Sequence, residues 1–337
     1  MSDDEIVALI FILLGYVLSI EQQRRVNFFH LCCQYDQLTT ESRYKKRRND
    51  DGVEVTPRKR RKRSQPQLNL VDEETCVHDQ LGVGHDMFLD ILNDVKDDLK
   101  KGRTGNKRRY RRLLDEKQTL FVLLLWLGQY SSMRYLAWTI GMDHSSLSRL
   151  LRWALPVVLP RLNYIVPPLN PPLDFCATVG SIDCSSHFRQ RVHPGSCLFY
   201  RGDKRGFFLT AELVTTHEGD IIQVSLGPGH MNDQGMLAVW TEDLLERNKW
   251  KLLADLGYRN DKLLVIPNEK KGIEWNNRHA STRSVVEQVF SLVKGWKVSS
   301  QKFRQSPEIQ EMALLAVYQL VAGRWKEGVR EINSWYS

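Results

Sequence analysis

The chain has 337 residues, 42% of them hydrophobic, enough for about two domains with real cores. A formal net charge of +8 suits a polyanionic partner and carries no information about fold. None of the six cysteines (Cys32, Cys33, Cys76, Cys176, Cys184, Cys197) forms a C-x-x-C pair, so a disulfide framework and a zinc ribbon lack support and a reducing, intracellular compartment fits best.

The first element is the apolar run "IVALIFILLGYVLSI" at 6–20. It falls short of the roughly twenty residues that span a bilayer. Asp3, Asp4 and Glu5 precede it, where a signal peptide would carry basic residues. It reads as a buried or partner-binding helix within an N-terminal segment, 1–40, and no membrane association is expected. Residues 41–70 form a polar linker with two basic clusters: Lys45, Lys46, Arg47 and Arg48, then Arg58, Lys59, Arg60, Arg61, Lys62 and Arg63. Two blocks across a short polar spacer have the pattern of a bipartite nuclear localisation signal, which predicts a nuclear protein; a solvated tail touching nucleic acid is the compatible plain reading. Cys76, His78 and His85 are set aside as a metal set. A third basic run, 101–112, suits phosphate contacts.

Residues 71–165 then read as a helical domain. Three helices are expected over 118–127, 131–140 and from Asp143, as N-cap, to about Ala154, with Gly141 breaking the chain. Helix, short glycine turn, helix is the helix-turn-helix pattern. The third helix presents Ser145, Ser146, Ser148, Arg149 and Arg152, types that meet base edges and phosphates. An ordinary bundle with a basic face is the alternative. "VPPLNPPLD", 166–174, closes this domain.

After the prolines the periodicity shifts toward strands. Strands are expected at 176–183, ending in Asp183, at 205–216 and at 220–227, the last two joined by a tight turn at Glu218-Gly219. A helix over 232–247 is capped by Asn232 or Asp233. Further strands follow at 251–258, with Asp255, and at 262–268. A last helix opens at Ser306-Pro307. Between them, "ASTRSVVEQVFSLVKGWK" at 280–297 reads as a helix. At about 100° per residue, Arg283, Glu287 and Lys294 share one stripe, and Val285, Val289, Leu292 and Trp296 turn toward a core. On this stretch alone a solvated face with an Arg283–Glu287 pair is the simplest account.

The order of these elements resembles the ribonuclease H-like fold of polynucleotidyl transferases. The blocks "GSIDCSSHF", "YRGDKRGFFLTAELV", "GPGHMNDQGML", "LLADLGY" and "STRSVVEQVFSLVKGWK" occur in the order found in PIF/Harbinger-type DDE transposases and the endonucleases derived from them. The similarity runs from about 118 to about 325. It implies an α/β ribonuclease H-like nuclease domain at 175–325, a mixed sheet flanked by helices, preceded by an all-α helix-turn-helix domain and followed by a tail at 326–337. It also implies that Asp183, Asp255 and Glu287 are catalytic metal ligands, possessing an oxygen set suited to two Mg²⁺ or Mn²⁺ ions. Asp233 matches a further family Asp, although helix capping explains it as well. Arg283 and Lys294 match residues proposed to hold phosphate beside the Glu; Ala280 stands where relatives have Tyr, so that Tyr's role is absent here or taken over by another residue. His187, Arg189, Arg191 and His193 after the first Asp, and Arg201 and Lys204 in "YRGDK", are candidate DNA contacts or, equally, ordinary loop residues.

The resemblance thus predicts a transposase that cuts at transposon-end DNA and transfers the strand to target DNA. It further implies a homodimer or larger assembly; family relatives often work with a separate Myb-like DNA-binding protein, a candidate partner whose need here is left open. A nuclease without strand transfer, or a domesticated, non-catalytic DNA-binding adaptor, is the alternative.

Overall fold

The computed structural model describes residues 81–101, 114–168, 171–193, 195–259 and 262–328. The expected N-terminal helix, the two import clusters and the third basic run after Lys101 lie outside the described residues. All described residues fall within one unit, 63–337.

Among the described residues, four helices come first: α1 (His85–Lys101), α2 (Glu116–Gln129), α3 (Met133–Thr139) and α4 (His144–Val158). Their starts are written in side chains that satisfy free backbone N–H groups. Asp115 and Gln118 form a capping box on α2. Ser132 accepts from Tyr135 N at α3, and Asp143 accepts from Ser145 N and Ser146 N at α4. The α2 sequence is apolar nearly all round, and the helix is accordingly buried from Thr119 to Gly128 except at Phe121. Its terminal Tyr130 stacks on Phe303, the ring centroids 5.3 Å apart. Helix α4 outruns its expected end at Ala154 and continues through Pro156.

The sheet follows. Its strands are β1 (Gly180–Arg189), β2 (Tyr200–Arg201), β3 (Gly206–Thr216), β4 (Ile221–Pro228), β5 (Leu252–Leu253) and β6 (Leu264–Val265), with a short helix α5 (Ser196–Phe199) before β2. Strand β3 pairs antiparallel with β1 on one edge and with β4 and β2 on the other. Beyond β1 the sheet turns parallel, β1 to β5 to β6. Helices cover both faces. On one, α6 (Asp233–Met236), a π-helical turn (Leu237–Thr241) and α7 (Glu242–Asn248) supply Leu237 and Leu245 to a core with Ile182, Val214, Ile222 and Tyr258. On the other lie α8 (Ile273–Gly295), α9 (Lys297–Ser300) and α10 (Pro307–Lys326). A mixed sheet flanked by helices is the fold class expected, and it fits a ribonuclease H-like domain.

Three expectations about strands need correction. The first strand does not begin at 176, because Phe175–Ala177 is a 3₁₀ turn with Cys176 and Ala177 at φ 59° and 56°. Nor does it end at Asp183: pairing with β3 continues to Arg189, which places Asp183 inside the strand. The strands expected at 251–258 and 262–268 shrink to two residues each. In α8, which starts seven residues before Ala280, the buried positions are His279, Val286, Val289, Phe290, Leu292 and Val293, while Val285 is half-buried.

Gly180 has no room for a side chain. A Cβ there would lie 1.7 Å from the Thr215 carbonyl oxygen, across the β1–β3 ladder. Gly180→Ala is expected to lower stability by about 3 kcal/mol, at the upper end of overpacking costs, seen as a depressed thermal midpoint.

Candidate active site

Three aspartates converge beside the parallel half of the sheet. The β1–β5 register sets Gly180 against Leu252 and Ser181 against Leu253. Carried two residues further, it brings Asp183 across from Asp255. Asp233 arrives from another direction, as the first residue of α6. Asn232 supplies the cap there, accepting from Gly235 N at 2.9 Å, and this leaves the Asp233 carboxylate free of capping duty. Gly257 makes the approach of the last two possible. A Cβ at 257 would lie 2.9 Å from Asp233 Oδ2 and 3.0 Å from Asp255 Oδ1.

Fixed hydrogen bonds hold the carboxylates. Asp183 Oδ1 accepts from Cys184 N at 2.7 Å, and Asp255 Oδ1 accepts from Gly257 N at 2.9 Å. Burial pushes the Asp183 carboxyl up to about 6; Asp255 and Asp233 push the same way, while the Cys184 N–H and Arg283 oppose them. Asp233 is raised as well, by burial first and then by Asp255. Carboxylates buried beside one another are shifted in this direction, by lost hydration and by their mutual repulsion.

The cation nearest Asp183 is Arg283 on α8. Its Nη1 donates to Asp183 Oδ2 at 3.3 Å and its Nη2 donates to Glu287 Oε1. One planar guanidinium therefore bridges Asp183 and Glu287. The two arginine contacts differ in burial: the Asp183 side chain is 20% exposed and that of Glu287 53%. Among the described residues, no group of three or more His, Cys, Asp and Glu side chains stands as a ready-made metal shell. The donor chemistry nevertheless suits a hard divalent ion, since every convergent group is a carboxylate oxygen.

Residues 182–321 match the DDE superfamily endonuclease family. No curated protein and no solved structure gives a match. The matched DDE segment includes Asp183, Asp233, Asp255, Arg283 and Glu287.

Other expected site residues of the DDE segment divide sharply. His187 is 1% exposed and bonds to the Ser299 carbonyl at 2.9 Å and to Tyr318 Oη at 3.1 Å. Burial lowers its pKa to about 4, so it is a neutral core residue and does not line a DNA path. Arg189 is also buried, donating to Gln310 Oε1 at 3.1 Å and lying over the Phe199 ring. Arg191 and His193 are exposed. Arg201 and Lys204 both donate to Ser186 Oγ at 2.9 Å, and Arg201 also makes the local pair with Asp203 at 3.0 Å. Lys294 is exposed on α8, and its charge reaches His187 and Lys204. On α4, Ser145, Arg149 and Arg152 are exposed, Ser146 and Ser148 half-buried.

Sequence reasoning missed a buried layer under the carboxylates. Glu212 lies in the middle of β3, opposite Cys184 in the ladder, and is 1% exposed. Thr241 of the π-helical turn donates to its Oε1, while Oε2 has no hydrogen-bond partner among the described residues. Cys184 Sγ lies 3.3 Å from Tyr258 Oη. The alternation of "GFFLTAELVTT" shows an acid at an inward position, and that polar interruption was the available signal.

Burial raises Glu212 from 4.5 to about 8, with the charge of Asp233 adding and the Thr241 hydroxyl opposing. A carboxyl more basic in the fold than in the open chain contributes stability in its protonated form. That stability is whole below the open-chain value and is lost as pH rises through the folded one. Thermal unfolding of the wild type across about pH 5 to 9 should show a falling midpoint toward the alkaline end. Glu212→Gln should flatten that fall, and parallel curves would exclude Glu212 as its source.

Proposed function

We propose that the chain is a divalent-metal-dependent DNA endonuclease, and that it acts as a transposase of the PIF/Harbinger type. The observation that carries this reading is the gathering of Asp183, Asp255 and Asp233, with Glu287 across Arg283, inside a segment that matches the DDE superfamily endonucleases. Those endonucleases generally use divalent metals. Asp183, Asp255 and Glu287, with Asp233 as a further candidate, would hold two Mg²⁺ or Mn²⁺ ions. Bound there, such ions polarise the phosphoryl group and make a coordinated water more acidic.

The chain's own residues would do the rest. The aspartates concentrate negative charge that binds the ions and accepts the proton of the attacking water. Arg283, released from Glu287, is placed to hold a phosphate oxygen, with Lys294 further along the same helix. Water adds to phosphorus and the P–O3′ side departs as a free 3′-hydroxyl. In strand transfer that hydroxyl attacks a target phosphodiester, forming one P–O bond and breaking another. Helices α2–α4, read as a helix-turn-helix, and the basic runs supply DNA affinity. Two transposon ends must meet, which calls for a homodimer or larger assembly, with a Myb-like protein as a further partner and the nucleus as the site of action.

A second reading, a non-catalytic DNA-binding adaptor, is favoured by the Arg283 clasp on Glu287, which occupies a carboxylate the chemistry needs. Cleavage of transposon-end DNA in Mn²⁺ or Mg²⁺ separates the two. Asp255→Asn and Glu287→Gln are expected to cut at least about a hundred-fold more slowly than wild type while binding DNA equally well, since the metal supplies several kcal/mol of stabilisation. Equal cutting by wild type and variants would remove these residues from the site. Binding without cutting by all three would favour the adaptor.

For α4, Arg149→Ala and Arg152→Ala together should weaken duplex binding and reduce the slope of log affinity against log salt by about two, one per lost phosphate contact. An unchanged slope would leave these arginines outside the DNA interface.

A further inference from the structure

Beyond the carboxylates, the sheet carries a pair of rings, Phe188 exposed and Phe208 half-buried. Cys184, Ser186 and Phe188 alternate onto one face of β1. Phe188 pairs in register with Phe208 of β3, the ring centroids 5.3 Å apart and tilted by 37°. Phe188 is 37% exposed, while Ile182 on the same face is fully buried. Two ammonium groups attend the rings: Lys302 Nζ lies 5.3 Å from the Phe188 centroid, and Lys204 Nζ 5.9 Å from that of Phe208. Both rings lean over Gly206, where a Cβ would stand 2.8 Å from Phe208 and 3.4 Å from Phe188.

This patch is continuous with the candidate site. Lys204 and Arg201 meet at Ser186 Oγ, and the charges of both reach Asp233. A strip therefore runs from carboxylates to cations to aromatic faces. Phosphate contacts alone would require only the cations. A partly exposed aromatic pair beside cations is an arrangement that takes unpaired bases, whose faces are inaccessible in a duplex.

We propose that this strip holds one unpaired nucleotide of the DNA beside the bond to be cut, its base laid against Phe188 and Phe208 and its phosphate on Arg201 and Lys204. The substrate would then be DNA opened or frayed next to the scissile bond. This rests on the endonuclease reading for its substrate, but its test is independent of cleavage.

The test uses the full chain, EDTA in place of metal, and a duplex with a single-stranded overhang carrying 5-iodouracil at successive positions. Irradiation should crosslink one overhang position to Phe188 or Phe208, identified by peptide mass spectrometry. Phe188→Ala with Phe208→Ala should abolish that crosslink and weaken overhang binding on the order of ten-fold, with blunt-duplex affinity unchanged. Phe188→Tyr, which keeps the ring, should restore both. Crosslinks that map only elsewhere, equal losses on overhang and blunt duplex, or overhang affinity unaffected by the double change would each overturn the proposal. Should the double variant lose its thermal transition, Phe188→Ala and Lys302→Ala carry the same comparison singly. Loss of metal-dependent cleavage in Asp255→Asn concerns the carboxylates alone, so either reading can fail while the other stands.

Discussion

The structure depends on holding like charges together in a half-buried place. Burial raises the pKa of Asp183 and Asp233, the neighbouring carboxylates add to it, and each of the three aspartates is brought by a different backbone device. The parallel register of β1 and β5 aligns Asp183 with Asp255. The cap at Asn232 turns the start of α6 inward. The missing side chain at Gly257 leaves space for two carboxylates. Arg283 then offsets part of the repulsion from the opposite side of the sheet. Within the protein itself, the Arg283 guanidinium is the counter-ion of Asp183.

Long elements with clear boundaries were legible in the sequence. Strands β3 and β4 stand within one residue of the alternating runs, the turn at Gly219 takes φ +93°, and α10 begins at Pro307 after Ser306. Asp143 caps α4 as its place before a periodic run suggests. The fold class followed from that order of elements. Short parallel strands were not legible, because "KLLADLGY" and "KLLVIPN" have the apolar character of buried strands while their backbone pairing lasts only two residues. The second half of β1 was hidden for the opposite reason: "CSSHFR" is polar, yet its histidine and arginine are buried against a helix whose side chains satisfy them.

The same cause separates the candidate residues that reach the site from those that do not. The acidic residues were found because a resemblance named their positions, and geometry then supplied their neighbours. His187 and Arg189 have DNA-contacting chemistry in isolation, but alternation along β1 turns both toward α10, where Tyr318 and Gln310 take up their hydrogen bonds. Glu212 was passed over because nothing in a single strand reveals that a hydroxyl from a distant helix will meet its carboxyl. Polarity in a sequence marks a need for a partner; whether that partner is solvent, ligand or the protein's own interior is decided by long-range packing.

The π-helical turn at Leu237–Thr241 has a consequence for how this segment can vary in length. Leu237 and Leu245, eight residues apart, share one core. On a regular helix that spacing would turn them about 80° apart, whereas one surplus residue in the wide turn reduces it to about 20°. The widened turn also lets the Trp240 carbonyl accept from Gln223 Nε2 at 3.1 Å and the Thr241 hydroxyl reach Glu212. A one-residue deletion here would close the helix into regular winding and keep its greasy side in place, yet take from Glu212 its hydroxyl partner and from Gln223 its bonds to Trp240 and Thr241. In this stretch an in-frame loss of one codon is therefore more damaging than most replacements, and the number of residues is itself under constraint.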